Sequence, residues 1–259
     1  VWDAASVEVD SSGRRVRVSA VYRPGAAHFD QAVAFGRTAI KDLSFRQPGV
    51  PFPYPELIIC HASDEGGGGM EYPMLVNNDV AGSEGSTFDL IYHEIAHTYF
   101  PFYMGIDERR YAWMDEGWAS FLPLDLMKAR GYERYPLRSS LFGYAMVAGS
   151  RLEASLMKSS EEKAMVSYFV SAYSKSALAY WMLRELLGQE RFVRGLQTYM
   201  DRWHGKHPQP YDFFFTFDAV AGEELSWFWQ PWFFETLRPD LGLRQVKVRR
   251  KKAKFTVRN

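Results

Sequence analysis

The chain has 259 residues, 47% apolar and 24% charged, which are the proportions of a folded protein with enough length for a sizeable core and exclude a disordered chain. Its 31 basic and 31 acidic side chains cancel, so no global field recruits nucleic acid or an anionic membrane. The single cysteine, Cys60, excludes an internal disulfide, and no run approaches the ~18 apolar residues of a membrane span.

In chain order, Arg14 to Tyr22 carries Val16, Val18 and Val21 between Ser-Ser-Gly and Pro24-Gly25 and reads as a strand. The apolar positions Phe29, Val33, Phe35, Ala39, Ile40 and Leu43 predict a helix over Ala27 to Leu43. A proline-punctuated loop from Pro48 to Pro55 leads to a short buried strand, Glu56 to Cys60. Gly66 to Gly69 and Met70-Glu71-Tyr72-Pro73 then read as a loop entering an edge strand through Val76. No Gly-Lys-Ser/Thr follows, so this is no phosphate loop. It is either a flexible connection or a place where another part of the chain comes close.

Thr87 to Phe100 reads as a helix, and Arg110 to Ala129 as a second one ending near Gly131. A linker-like stretch runs from Gly131 to Ser160. Helices follow over Glu161 to Leu187, Gln189 to Trp203, Tyr211 to Val220 and Leu225 to Thr236, the last two so rich in Phe and Trp that packing is their expected role. Val246 to Val248 and Phe255 to Val257 alternate like strands within a locally basic segment, a solvated hairpin or a docking site for an acidic partner. Strands early and helices late predict an α+β fold, with a site in the cleft between a small sheet-containing lobe and a mainly helical one. The expected divisions are 1–24, the end of a preceding β region or a first strand; 25–240, the catalytic unit; and 241–259, strands that begin a following module. The start has neither Met nor a signal-peptide pattern. It reads as a soluble piece of a longer protein, with compartment, source and oligomeric state left open.

The chemistry is concentrated in His93-Glu94-Ile95-Ala96-His97. Positions i and i+4 on a helix are about 400° apart, hence on one face and one turn separated, so both imidazoles can close on one ion. Zinc suits imidazole and carboxylate donors, and a catalytic zinc takes three protein ligands and leaves one position for water. Two ordinary histidines on a surface helix are the alternative. A candidate third donor is Glu116, nineteen positions after His97; the alternative, a solvated helical Glu, is weakened by Trp113, Trp118 and Phe121 around it, where an unpaired carboxylate is costly to bury.

The pentad, the later Trp113-x-x-Glu116-Gly117-x-Ala119 and the earlier Gly68-Gly69-Met70-Glu71-Tyr72 together resemble the aminopeptidase N family of zinc gluzincins over almost the whole chain. That resemblance implies a thermolysin-like catalytic domain with one zinc held by His93, His97 and Glu116. It makes Glu94 the general base, Tyr173 of Tyr173-Ser174-Lys175-Ser176 the oxyanion donor, and Gly68, Gly69 and Met70 the substrate-binding segment. Glu71 is then the anchor for the α-amine of a peptide with a free N-terminus. Asp115 is either a support for a ligand or a surface residue. Ser176 replaces a glycine in the match at Tyr173, and three further departures stand out: Thr98-Tyr99 stands for the more usual Gln-Trp, Tyr72 for Asn, and the chain looks like the catalytic domain alone, without the family's flanking domains. The implied activity is hydrolysis of the N-terminal peptide bond. The alternatives are a zinc endopeptidase or other zinc hydrolase on the same scaffold, and a silent peptide-binding module.

Overall fold

Val16, Val18 and Ala20 are completely buried while Arg15 and Arg17 remain exposed, the period-two signature of a strand with one face on the core. The computed structural model describes residues 1–132, 137–236, 242–249 and 252–258. In it the first strands are β1 (Trp2–Glu8), β2 (Arg15–Val21), β3 (Glu56–His61), β4 (Gly69–Tyr72) and β5 (Leu75–Asn78). They form a sheet in the order β1-β2-β3-β5-β4, with β2, β3 and β5 parallel and the two outer strands antiparallel. The edge strand is therefore β4, carrying Met70 and Glu71. Val76, expected at the edge, lies on β5 inside the sheet, because β5 pairs with β3 on one side and β4 on the other.

Helix α1 (Ala32–Phe45) packs Phe35, Ala39, Ile40 and Leu43 into the core beside β1, β2 and β3. Helix α2 (Glu84–Ala96) lies against β4 and β5. Ser83 caps it, its hydroxyl accepting from the Ser86 amide at 3.1 Å, which satisfies one of the free donors of the first turn. The helix stops at Ala96, short of the expected Phe100. His97 caps its end, and the wide turn Thr98–Tyr103 is broken at Phe100 (φ −132°, ψ 106°). Phe100 precedes Pro101, and the proline ring drives the residue before it out of the helical region.

The expected second helix is likewise divided. A single 3-10 turn (Ala112–Met114) is followed by the non-helical Asp115 and then by α3 (Glu116–Phe121) and α4 (Leu124–Ala129). The Asp115 side chain is committed to a neighbouring imidazole, and Pro123 offers no amide to continue the helix. The stretch read as a linker contains α5 (Arg138–Val147), concealed in the sequence by Ser139, Ser140 and Gly143, which are poor helix formers. The long helix expected over Glu161 to Leu187 is α6 (Met165–Phe169), a wide π-type turn (Val170–Lys175) and α7 (Ser176–Leu187).

The helices α8 (Gln189–Trp203), α9 (Pro210–Ala221) and α10 (Ser226–Trp229) complete the helical part. Trp118 stacks on Tyr180 with centroids 3.7 Å apart, and Trp113 meets Phe213, Phe214 and Phe233. The aromatic stripe is thus core packing. Strands β6 (Gly242–Arg249) and β7 (Lys252–Arg258) pair only with each other among the described residues. No helix among the described residues is long and apolar enough to cross a membrane.

Candidate active site

Three side chains from two helices converge where α2 ends. His93 comes from its last turn, His97 from its cap, and Glu116 is the first residue of α3. The two Nε2 atoms approach to 3.2 Å, and Glu116 Oε2 lies 3.2 Å from His93 Nε2 and 3.4 Å from His97 Nε2. A tetrahedral zinc with bonds of about 2.0–2.1 Å holds its ligand atoms roughly 3.3 Å apart. Glu116 Oε2 is buried yet meets neither ring with hydrogen-bond geometry, an unsatisfied state that a cation between the three donors removes. The residues fit the metal.

The support behind this triangle is equally specific. His97 Nδ1 contacts Asp115 Oδ1 at 2.6 Å and the Phe100 carbonyl at 3.0 Å. With Nδ1–H donating there, Nε2 is left with a lone pair toward the metal position. The break at Asp115 thus has a purpose: it turns one carboxylate to the back of His97 and the next, Glu116, to its front. Among the chain's own groups, burial opposes a second proton on His97, but Asp115 and then Glu116 outweigh it and shift the ring upward from the ordinary imidazole range; a metal ion at Nε2 would take that proton's place. Burial likewise opposes ionisation of Glu116. The contacts with His93 and His97 prevail and hold its carboxyl below the usual range.

Tyr173 sits in the π-type turn between α6 and α7, its ring stacked over His93 at 6.0 Å and its hydroxyl donating to Glu116 Oε1. Burial, and then the Glu116 charge, push the phenol far up, so it stays a proton donor. The turn is brought this close by Gly117. A Cβ there would lie 2.6 Å from the Ser176 Cβ, so a small residue on α3 lets the start of α7 press against it, with the completely buried Ser176 filling the gap.

Glu94 lies beneath the edge of the sheet. It is 4% exposed, and burial, offset in part by the two imidazoles, pushes its carboxyl up to about 7. Edge strand β4 passes directly over it: a Cβ on Gly69 would overlap the Glu94 carboxyl group. Of the two sequence readings of the glycine run, close approach of a strand is the one realised. Gly68, Gly69, Met70, Glu71, Glu94 and Tyr173 line one cavity of 780 Å³, together with the three metal-directed residues. Glu108, Tyr168 and Phe169 share that wall. None of these three was singled out from sequence. Glu108 lies in Asp107-Glu108-Arg109-Arg110, a run of charges that reads as an ordinary solvated turn.

The model of the Peptidase family M1 domain matches residues 46–232. The chain belongs to peptidase family M1. Among curated relatives of the M1 domain are leucine aminopeptidase 2 of Emericella nidulans, 25% identical over 190 residues, and a leukotriene A-4 hydrolase homolog of Botryotinia fuckeliana, 25% identical over 190 residues. Each alignment takes in 65% of this chain, and the chain spans 30% and 29% of those relatives. Among solved structures, an M1 zinc metallopeptidase of Deinococcus radiodurans superposes with a TM-score of 0.72 at 18% identity, covering 92% of this chain and 53% of that one. A mutant of the Deinococcus enzyme bound to a Tyr-Ser-Ala substrate gives 0.67 at 17% identity, with the same coverage. The shared architecture is a small sheet followed by a mostly helical part, and the cofactor that M1 membership implies is zinc.

Proposed function

We propose that this M1 domain is the catalytic unit of a zinc aminopeptidase that hydrolyses the N-terminal peptide bond of peptides. The observation that carries the reading is the close passage of β4 over Glu94, which puts an amine-seeking carboxylate, Glu71, in the cavity that holds the His93, His97 and Glu116 triangle. His93, His97 and Glu116 would hold the zinc. Zinc bound there supplies Lewis acidity and brings the pKa of a coordinated water down to about 7.

Glu94 takes the proton of the attacking water and delivers it to the departing amine. Its carboxyl, raised by burial to about 7, is suited to do both near neutral pH. Tyr173, kept protonated, turns its hydroxyl from Glu116 to the oxygen on which negative charge develops. The free edge of β4 accepts an extended peptide as an added strand, with Gly68 and Gly69 supplying backbone contacts and Met70 bordering the first side chain. Glu71 receives the α-ammonium, and an internal or blocked amide offers no such charge.

In this reading the fold is the thermolysin-like type, with the cavity as the cleft between the sheet-containing and helical lobes. Residues 25–240 form the catalytic unit, 1–24 its approach from a preceding β region, and 241–259 the start of a following module. The substrates are peptides with a free N-terminus, which accords with the peptide carried by the Deinococcus neighbour. The test is zinc content by elemental analysis together with hydrolysis of free and N-acetylated aminoacyl substrates, before and after chelation. One zinc per chain and chelator-sensitive cleavage of only the free-amine set is the expected result. Equal cleavage of acetylated substrates would replace the reading by an endopeptidase, and zinc without turnover by a binding module.

A further inference from the structure

The mechanism above uses one carboxylate, Glu71, for the α-ammonium, and the fold brings a second beside it. Glu108 lies between the wide turn after α2 and the 3-10 turn before α3. Oxygen atoms of Glu71, Glu108 and Asp115 lie within 4.8 Å of one another, and all three residues line the 780 Å³ cavity. Asp115 is committed to His97. Besides His93 and His97, whose Nε2 atoms belong to the metal triangle, the one basic side chain on the cavity wall among the described residues, Arg109, pairs with Glu161 at 2.8 Å. The neighbouring Arg110 lies over the Tyr111 ring. Glu71 and Glu108 therefore lie within 4.8 Å of each other, with no lysine on the wall and its one arginine committed elsewhere among the described residues.

A separate observation places a buried acceptor without a donor from the chain beside Glu71. Glu94 is 4% exposed, lies with His97 within 4.8 Å of Glu71, and has its Oε2 buried with no hydrogen-bond partner. A buried acceptor is normally satisfied, and an ammonium group brings three donors and a positive charge. We propose that Glu108 is a second anchor for the substrate's α-ammonium, forming with Glu71 a two-carboxylate clamp on the free N-terminus. The inference rests on the aminopeptidase reading. It makes Glu108 a specificity-determining residue and the amine site complete within this domain.

Zinc-loaded wild type, Glu108→Gln, Glu108→Asp, Glu71→Gln and the double Gln variant would be compared. Calorimetric binding of leucinamide and N-acetyl-leucinamide would be measured beside KM and kcat for a free-amine aminoacyl substrate. A lost charge-assisted contact corresponds to roughly 10–100-fold. Glu108→Gln should weaken leucinamide binding and raise KM by that factor, with kcat within about threefold, zinc content unchanged and N-acetyl-leucinamide unaffected. Glu108→Asp should recover part of the loss, and the double variant should lose less than the product of the two single losses, because both acids hold one group. A Glu108→Gln protein that discriminates free from acetylated ligand as well as wild type overturns the clamp and leaves the aminopeptidase reading standing. Wild type that does not discriminate overturns both. A second metal per chain that disappears in Glu108→Gln would overturn the clamp in favour of a cation site.

Discussion

Alanine at position 69 inserts a methyl group where β4 crosses Glu94, the proposed general base. The new Cβ would lie 2.5 Å from Glu94 Cδ and 2.7 Å from Cγ, against the ~3.5–4.0 Å at which carbon atoms rest. Strand and carboxyl must therefore separate by about 1 Å, a misplacement that costs on the order of 10²-fold when it involves reacting groups. Gly69 does not occupy the left-handed backbone region, so alanine introduces a steric effect without conformational strain. Gly68 provides the converse control: its φ is +148°, and a Cβ there meets nothing within 4 Å. Gly69→Ala is expected to lower kcat by about 10²-fold with zinc retained and a small change in melting temperature, since β4 is an edge strand. Gly68→Ala should affect stability more than it affects kcat. Steady-state kinetics, metal analysis and thermal unfolding on both variants test this. Turnover of Gly69→Ala within about twofold of wild type would refute the placement of Glu94 as base beneath β4.

Four further outcomes follow from the geometry. Glu94→Gln should keep full zinc and lose about 10²–10⁴-fold in kcat, and retained activity would remove Glu94 as base. Asp115→Ala leaves His97 Nδ1 with the Phe100 carbonyl alone and should weaken zinc affinity about 10–100-fold in a chelator competition, with unchanged affinity counting against its support of His97. Tyr173→Phe should lower kcat by about 10²–10³-fold with little change in KM, and a drop below twofold would assign the oxyanion contact elsewhere. Asp125 accepts from Arg46 at 2.9 Å and from Arg184 at 2.7 and 3.0 Å. Burial opposes its ionisation, but the guanidiniums prevail and depress its carboxyl. Its contribution is therefore present above the unfolded value near 3.9 and disappears as pH falls through the folded value. Asp125→Asn should cost about 1–2 kcal/mol at pH 7, discounted because its side chain stays 30% exposed. The cost should vanish toward pH 2 in denaturant titrations, and a pH-independent difference would disprove the linkage.

The elements that came through closest to expectation in position and type are β2, β3, α8 and α9, each an uninterrupted run with one period along its length. Those that did not are interrupted by tertiary demands. Pro101 ends α2 four residues early, Asp115 leaves the helix to reach His97, and the chain widens into a π-type turn that carries Tyr173 over His93. The sequence signals that were missed were weak ones: Ser139, Ser140 and Gly143 in α5, and Glu108 in a charged turn.

The sequence by itself determined the chemistry within reach of one element. Four residues on a helix bring His93 and His97 to one face because the helical repeat is local, and no other part of the chain is needed to say so. Glu116 stood out as a candidate third donor through its spacing and apolar neighbours, since a buried carboxylate requires a partner wherever it lies, and the family resemblance named it a ligand. Tertiary structure alone decided what crosses between elements. Gly69 lies against Glu94, Gly117 against Ser176, and Glu108 beside Glu71. Each contact joins segments that no period relates, set by how closely two backbones can pack.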